Sequence, residues 1–293
     1  MKYAITLLTA LLLFSSTAKA ESRPAVVATL PALAQIAQAV CGSDCEVRML
    51  ARAGQDPHFV PPKPTLARYL AGADILFSVG LGLESGWLPP LIQLSRNGAI
   101  RPGGRGYFVG ADYIDVIGAD VAVDRSMGDV HPEGNPHWWL DPLHVVVVAK
   151  ALAAKMGEVD SEHADAYVER AGRFGDRIAQ RMKQWQSRSV AAVVTYHDSY
   201  RYFVDRFGIR VIDFIEPKPG IEPSTAHLDR LVARLQQGEA TSLWLEPYHD
   251  TQTARRVCER GGIPCLIMPD AVEGEGGEAY IALIDLLVKR GAQ

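Results

Sequence analysis

After its first twenty residues the sequence has no apolar run long enough to cross a membrane, which takes about 20 residues. The one strongly apolar run, Ala4–Phe14, is too short. It follows Lys2 and precedes Ala18-Lys19-Ala20, the pattern of a secretory signal peptide with its cleavage site. We therefore predict a signal peptide at residues 1–20 and an exported chain that starts at Glu21. No cysteine stands near the cleavage point, so we expect no lipid anchor.

The sequence also lacks clustered basic residues. It carries 30 Lys and Arg against 34 Asp and Glu, a formal net charge of −4, and no stretch interleaves basic with aromatic residues. Binding to nucleic acid depends on such clusters, so we expect no nucleic-acid partner. The hydrophobic fraction of 48% is ordinary for a globular protein, and the length allows two compact lobes.

Cysteine is scarce, with four in the whole chain. In an exported protein these four favour disulfides, for which three pairings are possible. We predict the two local pairs, Cys41–Cys45 and Cys258–Cys265. The alternative is a structural zinc site held by four thiolates. Zinc-binding cysteines usually come in pairs with about two residues between the partners, so these wider gaps disfavour it.

The rest of the chain alternates short apolar segments with helical ones, which is typical of βα units and parallel sheets. We predict strands at Ala25–Leu30, Glu46–Leu50, Ile75–Val79, Tyr107–Val109, Val190–Thr195, Arg210–Ile215, Ser242–Leu245 and Cys265–Met268. Between the two sets of four, Ser161–Ser187 has apolar residues every three or four positions and should form one long helix. The predicted fold is α/β, with two lobes that each hold a mostly parallel sheet flanked by helices. Their bounds are 21–158 and 190–293, with the linking helix at 159–189.

Two segments are harder to assign. Leu143–Met156 contains four consecutive valines, which favour a strand, but it starts after Asp141-Pro142 and ends rich in alanine, which favours a helix. We interpret it as a helix. The polar run Glu273–Glu278 is interpreted as a solvated loop.

One stretch, Gly128–His144 (GDVHPEGNPHWWLDPLH), contains three of the eight histidines and three prolines. Proline stiffens the backbone, so His137 sits on a shaped loop beside Trp138 and Trp139. Asp141-Pro142 has the form of a helix N-cap followed by proline at the first helical position. A histidine fixed in this way is a good metal ligand. The alternative is a tryptophan-anchored turn whose histidines only form hydrogen bonds.

In parallel α/β sheets, ligands bind beyond the carboxyl ends of the strands. His58 lies in the loop after the second predicted strand, His197 two residues after the fifth, and Asp270 just after the last. With His137 they make two candidates from each half. Each has a plainer interpretation, because a loop histidine often only forms hydrogen bonds and Asp270 is also suited to cap a turn.

The remaining histidines are weaker candidates. His131, His144 and His249 lie near the predicted site but not at strand ends, and His131 is an alternative, weaker ligand. His163 falls in the long predicted helix and His227 near the start of another, so both are predicted to be surface residues.

These residues resemble the periplasmic metal receptors of zinc and manganese ABC importers, the cluster A-I solute-binding proteins. The resemblance covers essentially the whole chain after the signal peptide. The motifs that carry it are Asp56-Pro57-His58, His137-Trp138-Trp139-Leu140-Asp141-Pro142, Tyr196-His197-Asp198 and Glu222-Pro223-Ser224, followed by the late Asp270.

The resemblance implies two lobes joined by one long rigid helix, with a single metal ion in the cleft. Carried over by motif, the ligands are His58 and His137 from the first lobe and His197 and Asp270 from the second. Three imidazoles and one carboxylate suit tetrahedral Zn²⁺. Manganese-type members are expected to carry Glu where His197 stands, so His197 favours zinc.

The chain departs from many zinc-type members in one respect, because it lacks their histidine-rich acidic loop. The corresponding region, Ile117–His131, offers only His131 with Asp120, Asp124 and Asp129. A metal-scavenging role for this loop therefore does not follow from the resemblance.

The function implied is that of a monomeric periplasmic receptor that captures Zn²⁺ and delivers it to an ABC permease in the inner membrane, without catalysis. One alternative is a manganese receptor of the same family. Another is an exported zinc hydrolase, but four protein ligands leave no position for a reactive water, and the chain has no H-E-x-x-H. Because a free imidazole titrates near pH 6.5, three such ligands predict a steep fall in zinc affinity between about pH 7 and 5.

Overall fold

The computed structural model describes residues 23–119, 131–186, 192–218 and 220–292. The predicted signal peptide and the acidic residues Asp120, Asp124 and Asp129 lie outside these ranges. In the described part of the chain, no helix combines the length and the apolar character needed to cross a bilayer.

The first half forms a sheet of four parallel strands in the order β2-β1-β3-β4. Its strands are β1 (Ala25–Ala28), β2 (Glu46–Met49), β3 (Ile75–Ser78) and β4 (Tyr107–Val109), and its helices are α1 (Pro31–Cys41), α2 (Pro64–Ala71) and α3 (Leu88–Ser95). The central strands β1 and β3 are almost wholly buried, as expected of parallel strands covered by helices on both faces. Proline stands at the start of α1 and of α2, where its missing N–H costs nothing.

The second half repeats this arrangement with the strand order β6-β5-β7-β8, again all parallel. Its strands are β5 (Val193–Thr195), β6 (Val211–Phe214), β7 (Ser242–Leu245) and β8 (Cys265–Ile267), and its helices are α6 (Arg201–Phe207), α7 (Thr225–Gln236), α8 (Thr251–Gly261) and α9 (Gly276–Gly291). The predicted fold class is therefore confirmed.

Two helices separate the sheets, α4 (Pro142–Val159) and α5 (Ala164–Trp185). The valine-rich segment is helical, as we interpreted it, because Asp141 caps α4 by accepting the N–H of Leu143 and Pro142 occupies its first position. The helix α5 has 22 residues, about 33 Å, and begins later than predicted, so His163 precedes it instead of lying within it.

The prediction of a solvated loop at Glu273–Glu278 is wrong in its second part, since α9 already begins at Gly276. The side chains of α1 bind the backbone of this segment. Gln35 donates to the carbonyl oxygens of Val272 and Gly274, and Gln38 accepts the N–H of Gly276. The C-terminal helix α9 packs against α1 and α5, and the largest apolar core contains residues of both sheets. The predicted lobe bounds remain a prediction.

Polar contacts also join the two halves of the chain close to the Trp-containing loop. Arg206 of α6 makes a bidentate ion pair with buried Asp141, at 2.7 and 2.9 Å for the two closest contacts. Tyr202 donates to the carbonyl oxygen of Asn135, and the Asn135 amide donates to that of Asp198. These bonds fix the loop that carries His137 against the second half.

Both predicted disulfides are present, Cys41–Cys45 and Cys258–Cys265, with Cα atoms 5.7 and 5.9 Å apart. The first joins the end of α1 to the segment before β2, and the second joins α8 to β8. Each constrains a local loop, which mainly lowers the entropy of the unfolded chain.

Candidate metal centre

The four candidate ligands follow strands or lie in proline-rich loops. His197 comes two residues after β5 and Asp270 three residues after β8, at the carboxyl edge of the second sheet. His58 lies in the proline-rich segment between β2 and α2, and His137 lies in the turn that leads into α4. His137, His197 and Asp270 lie close to regular elements, which hold their backbone, whereas His58 lies well inside a loop and relies on prolines such as Pro57 for stiffness.

The three histidines come together. One potential ligand atom from each of His58, His137 and His197 lies within 4.8 Å of the other two, and the ring centroids are 5.4 to 5.6 Å apart. His137 and His197 are buried, and the His58 side chain is 9% exposed. Among the described residues this is the only group of three or more such side chains that converges so closely.

Two of the histidines are oriented by a side chain two residues earlier. Asp56 Oδ1 accepts both the backbone N–H of His58, at 2.9 Å, and its Nδ1, at 2.8 Å. Asn135 Oδ1 accepts the backbone N–H and the Nδ1 of His137 in the same way, each at 3.0 Å. Both rings therefore turn Nε2 inward, and among the described residues neither buried Nε2 atom has a hydrogen-bond partner. Such outer partners fix the tautomer of a ligating histidine.

The orienting roles of Asp56 and Asn135 were not predicted from the sequence, although a signal for them exists there. The tripeptides Asp56-Pro57-His58 and Asn135-Pro136-His137 share one form, an acceptor followed by proline and histidine. Asp and Asn readily accept hydrogen bonds from the backbone two residues on, and proline stiffens that turn.

Burial and mutual repulsion favour the uncharged forms of His137 and His197. Burial lowers the pKa of His137 well below its usual value, and the neighbouring His58 and His197 add to the effect. Burial likewise lowers the pKa of His197 to about 3, again reinforced by His58. Neutral imidazoles present lone pairs, so the cluster is prepared for a cation at neutral pH.

Asp270 lies next to this cluster but outside the group of converging atoms. It is 5% exposed, its Oδ1 has no hydrogen-bond partner, and its carbonyl oxygen accepts the indole N–H of Trp139. Trp139 in turn contacts the ring of His137, at 5.2 Å between centroids. Burial, with the nearby carboxylate of Glu246 as the next cause, raises the pKa of Asp270 to about 7.

The other histidines fall into two sets. His131 stacks on His58 and His249 contacts His197, with centroids 5.3 and 6.1 Å apart, so both border the cluster. The other three lie outside it. His144 contacts the ring of Tyr202, at 5.4 Å between centroids, and His163 pairs with Asp160. His227 is half-buried, and its ring binds the carbonyl oxygen of Phe214.

The donors suit a divalent metal ion. Three imidazole nitrogens and one buried carboxylate match the N and O donors of a four-coordinate zinc site, in which bonds of about 2.0–2.2 Å are typical. The Nε2 atoms of His58 and His137 have no hydrogen-bond partner in the described part of the chain, so an ion between them would satisfy both. The arrangement can capture and hold a cation.

Comparisons with known proteins agree with this chemistry. A model of the family described as "Zinc-uptake complex component A periplasmic", ZnuA, matches residues 26–290. The chain is 26% identical over 280 residues to the manganese ABC transporter substrate-binding lipoprotein PsaA of Streptococcus pneumoniae, covering 92% of this chain and 88% of PsaA. It is 25% identical, with the same coverage, to the iron ABC transporter substrate-binding lipoprotein MtsA of Streptococcus pyogenes serotype M1.

Solved structures share the fold. A zinc-bound deletion mutant of ZnuA superposes with a TM-score of 0.76 at 19% identity, covering 93% of this chain and 99% of the other. FpvC of Pseudomonas aeruginosa in complex with Mn²⁺ gives the same TM-score and coverage at 20% identity. At this level of identity the likeness establishes the architecture, two parallel sheets flanked by helices.

Proposed function

The chain belongs to the ZnuA family of periplasmic zinc-uptake components, and from this premise we propose that it captures Zn²⁺ between its two sheets for delivery to an ABC importer. The family consists of substrate-binding receptors, which are not enzymes. The observation that carries the proposal is the convergence of three histidine ligand atoms within 4.8 Å.

We propose His58, His137, His197 and Asp270 as the ligands. Asp270 completes the set because it offers a fourth donor. Its Oδ1 is buried without a hydrogen-bond partner in the described ranges, and its carbonyl oxygen binds Trp139, whose ring contacts that of His137. A short rotation of this side chain toward the ion is part of the proposal, since its oxygen stands outside the converging group.

Zinc is favoured over manganese by the donor atoms. Three nitrogens and one oxygen suit Zn²⁺, whereas Mn²⁺ prefers a harder set dominated by carboxylates. The relatives bear different names, a manganese receptor and an iron receptor among them, so the choice of metal rests on this chain's own residues. His197 is the position that decides it.

We place the protein outside the cytoplasm, where receptors of metal importers work, with a membrane permease as its partner. The two streptococcal relatives are named lipoproteins, which differs from our expectation of an unanchored form. A monomer is sufficient for the proposed role, because all four ligands come from one chain.

Equilibrium dialysis followed by metal analysis tests the proposal. We expect one zinc ion per chain, retained against an equal concentration of Mn²⁺ or Fe²⁺. The variant His197→Glu keeps a ligand but replaces nitrogen with oxygen, so its preference should shift toward Mn²⁺ relative to the wild type. Wild-type protein that takes up Mn²⁺ in preference to Zn²⁺ would establish the alternative, a manganese receptor.

A further inference from the structure

Two buried glutamates follow corresponding strands of the two sheets, Glu84 after β3 and Glu246 after β7. Glu84 has a structural explanation. Its carboxylate accepts the hydroxyl of Thr29 at 2.7 Å and the backbone N–H groups of Val79 and Gly80 at 2.7 and 3.1 Å. These bonds hold the turn after β3, so the buried charge is satisfied locally.

Glu246 has no such explanation. It is 0% exposed, and in the described ranges neither carboxylate oxygen accepts a hydrogen bond from a backbone N–H. None of the Lys or Arg ion pairs found there involves it, and its ion-pair partner is His249, whose Nε2 lies 3.2 Å from Oε2. The hydroxyl of Tyr200 donates to the carbonyl oxygen of Met268. A buried carboxylate that is paired only with a histidine remains costly, so its presence needs another reason.

The metal centre lies beside this carboxylate. In the sheet β7 runs between β5 and β8, so Glu246 stands between the strand ends that lead to His197 and Asp270. His249 connects Glu246 to the cluster, because its Nε2 lies 3.2 Å from the carboxylate and its ring contacts that of His197. After burial itself, the charge of Glu246 is the largest cause of the raised pKa of Asp270.

Without Glu246, the charges of the proposed site do not balance. A dication held by three neutral imidazoles and the Asp270 carboxylate keeps a net charge of one, buried where water screens poorly. We infer that Glu246 supplies the second negative charge and strengthens binding of the dication from outside the coordination shell. This inference rests on the proposed function, because it assigns Glu246 to the same site.

The test compares Glu246→Gln with Glu84→Gln as a matched control. Each change keeps the shape of a buried side chain and removes its charge. Zinc affinity is measured by competition with a chromophoric chelator, the metal-free melting temperature by circular dichroism, and the coordination shell by the visible absorption of the Co²⁺-substituted protein.

For Glu246→Gln we expect zinc binding about 10- to 100-fold weaker, the range typical of outer residues at metal sites. The metal-free melting temperature should not fall, and the Co²⁺ spectrum should match that of the wild type. For Glu84→Gln we expect the reverse, a lower metal-free melting temperature with zinc affinity changed by less than about threefold, because its carboxylate serves the turn. Glu246→Asp, which keeps the charge, should bind zinc more tightly than Glu246→Gln.

Unchanged zinc affinity in Glu246→Gln would overturn the inference. So would a Gln variant that fails to fold without metal, since the inference gives this carboxylate no part in the metal-free fold. An altered Co²⁺ spectrum would instead make Glu246 a direct ligand and would also contradict it. The proposed function fails separately, if the wild type binds no zinc or if His137→Ala binds it as well as the wild type.

Discussion

The two halves of the chain contribute to the metal centre in different ways. The first half supplies His58 and His137, each held by a hydrogen-bond acceptor two residues earlier in the chain. The second half supplies His197 and two buried carboxylates. Asp270 has an oxygen without a hydrogen-bond partner in the described ranges, and Glu246 is paired only with His249.

This difference separates two properties of a binding site. Ligands that are already oriented lose little freedom when the ion binds, so the first half favours affinity through preorganisation. Buried carboxylates that lack a Lys or Arg partner are unfavourable until a cation binds, so the second half supplies most of the electrostatic attraction. Substitutions in each half can test this division of roles.

Removing an oriented nitrogen should have the largest effect. At zinc a thousandfold above its dissociation constant, the wild type gains about 4 kcal/mol in free energy of unfolding. His137→Ala should lose most of this gain, because the remaining donors cannot close the site. The measurement is the zinc-induced shift in melting temperature. His163→Ala, in which the lost ring pairs with Asp160 away from the cluster, should keep the full shift.

The second prediction concerns the pH dependence of zinc affinity and follows from Asp270 in the second half. Since the pKa of Asp270 is raised to about 7, the metal-free site holds a proton on this group below neutral pH, and zinc must displace it. Affinity should therefore fall as pH falls, by roughly tenfold per unit and about a hundredfold between pH 7 and 5. Burial lowers the pKa of His197 to about 3 and that of His137 well below its usual value, so these two rings compete for protons less than free imidazoles would.

We therefore expect zinc affinity to fall less steeply with pH than three freely titrating imidazoles, as predicted from the sequence, would make it fall. The check is the slope of log dissociation constant against pH, obtained by chelator competition. A slope near three between pH 7 and 5 would mean that the histidines titrate freely. Asp270→Asn, although weaker in binding, should give a flatter curve than the wild type.

The smallest effect expected is that of an orienting residue. In Asp56→Ala the ring of His58 loses the acceptor that holds Nδ1, so zinc affinity should fall by about 10- to 100-fold. Asp56→Asn retains an oxygen at the same place and should recover most of the loss. If the Asn variant binds as weakly as the Ala variant, the charge of Asp56 matters more than its hydrogen bond, and the proposed contrast between the halves is weakened.

Local sequence determined much of the fold. Runs such as Ser242–Leu245 and Tyr107–Val109 became strands with the predicted bounds, because short apolar runs between helices have few other ways to be buried. Asp141-Pro142 started α4 as predicted, since capping depends only on neighbouring residues. The two disulfides also follow from local spacing.

Positions that depend on distant partners were harder to predict. The start of α9 is set in part by Gln38 of α1, more than 230 residues away, and no local pattern encodes that contact. Likewise, the bonding of His227 to Phe214 depends on how α7 packs beside β6.

The residue types of the candidate site could be read from the sequence, because ligands follow strand ends and stiff prolines. Only the tertiary structure brought His58, His137 and His197 within reach of one another, while leaving the oxygen of Asp270 outside that group. It also lowered the pKa of the buried His137 and His197, raised that of Asp270, and placed Glu246 between two ligand-bearing strands. The physical reason is that burial and electrostatic coupling depend on every group packed around an atom, and most of these groups are far away along the chain.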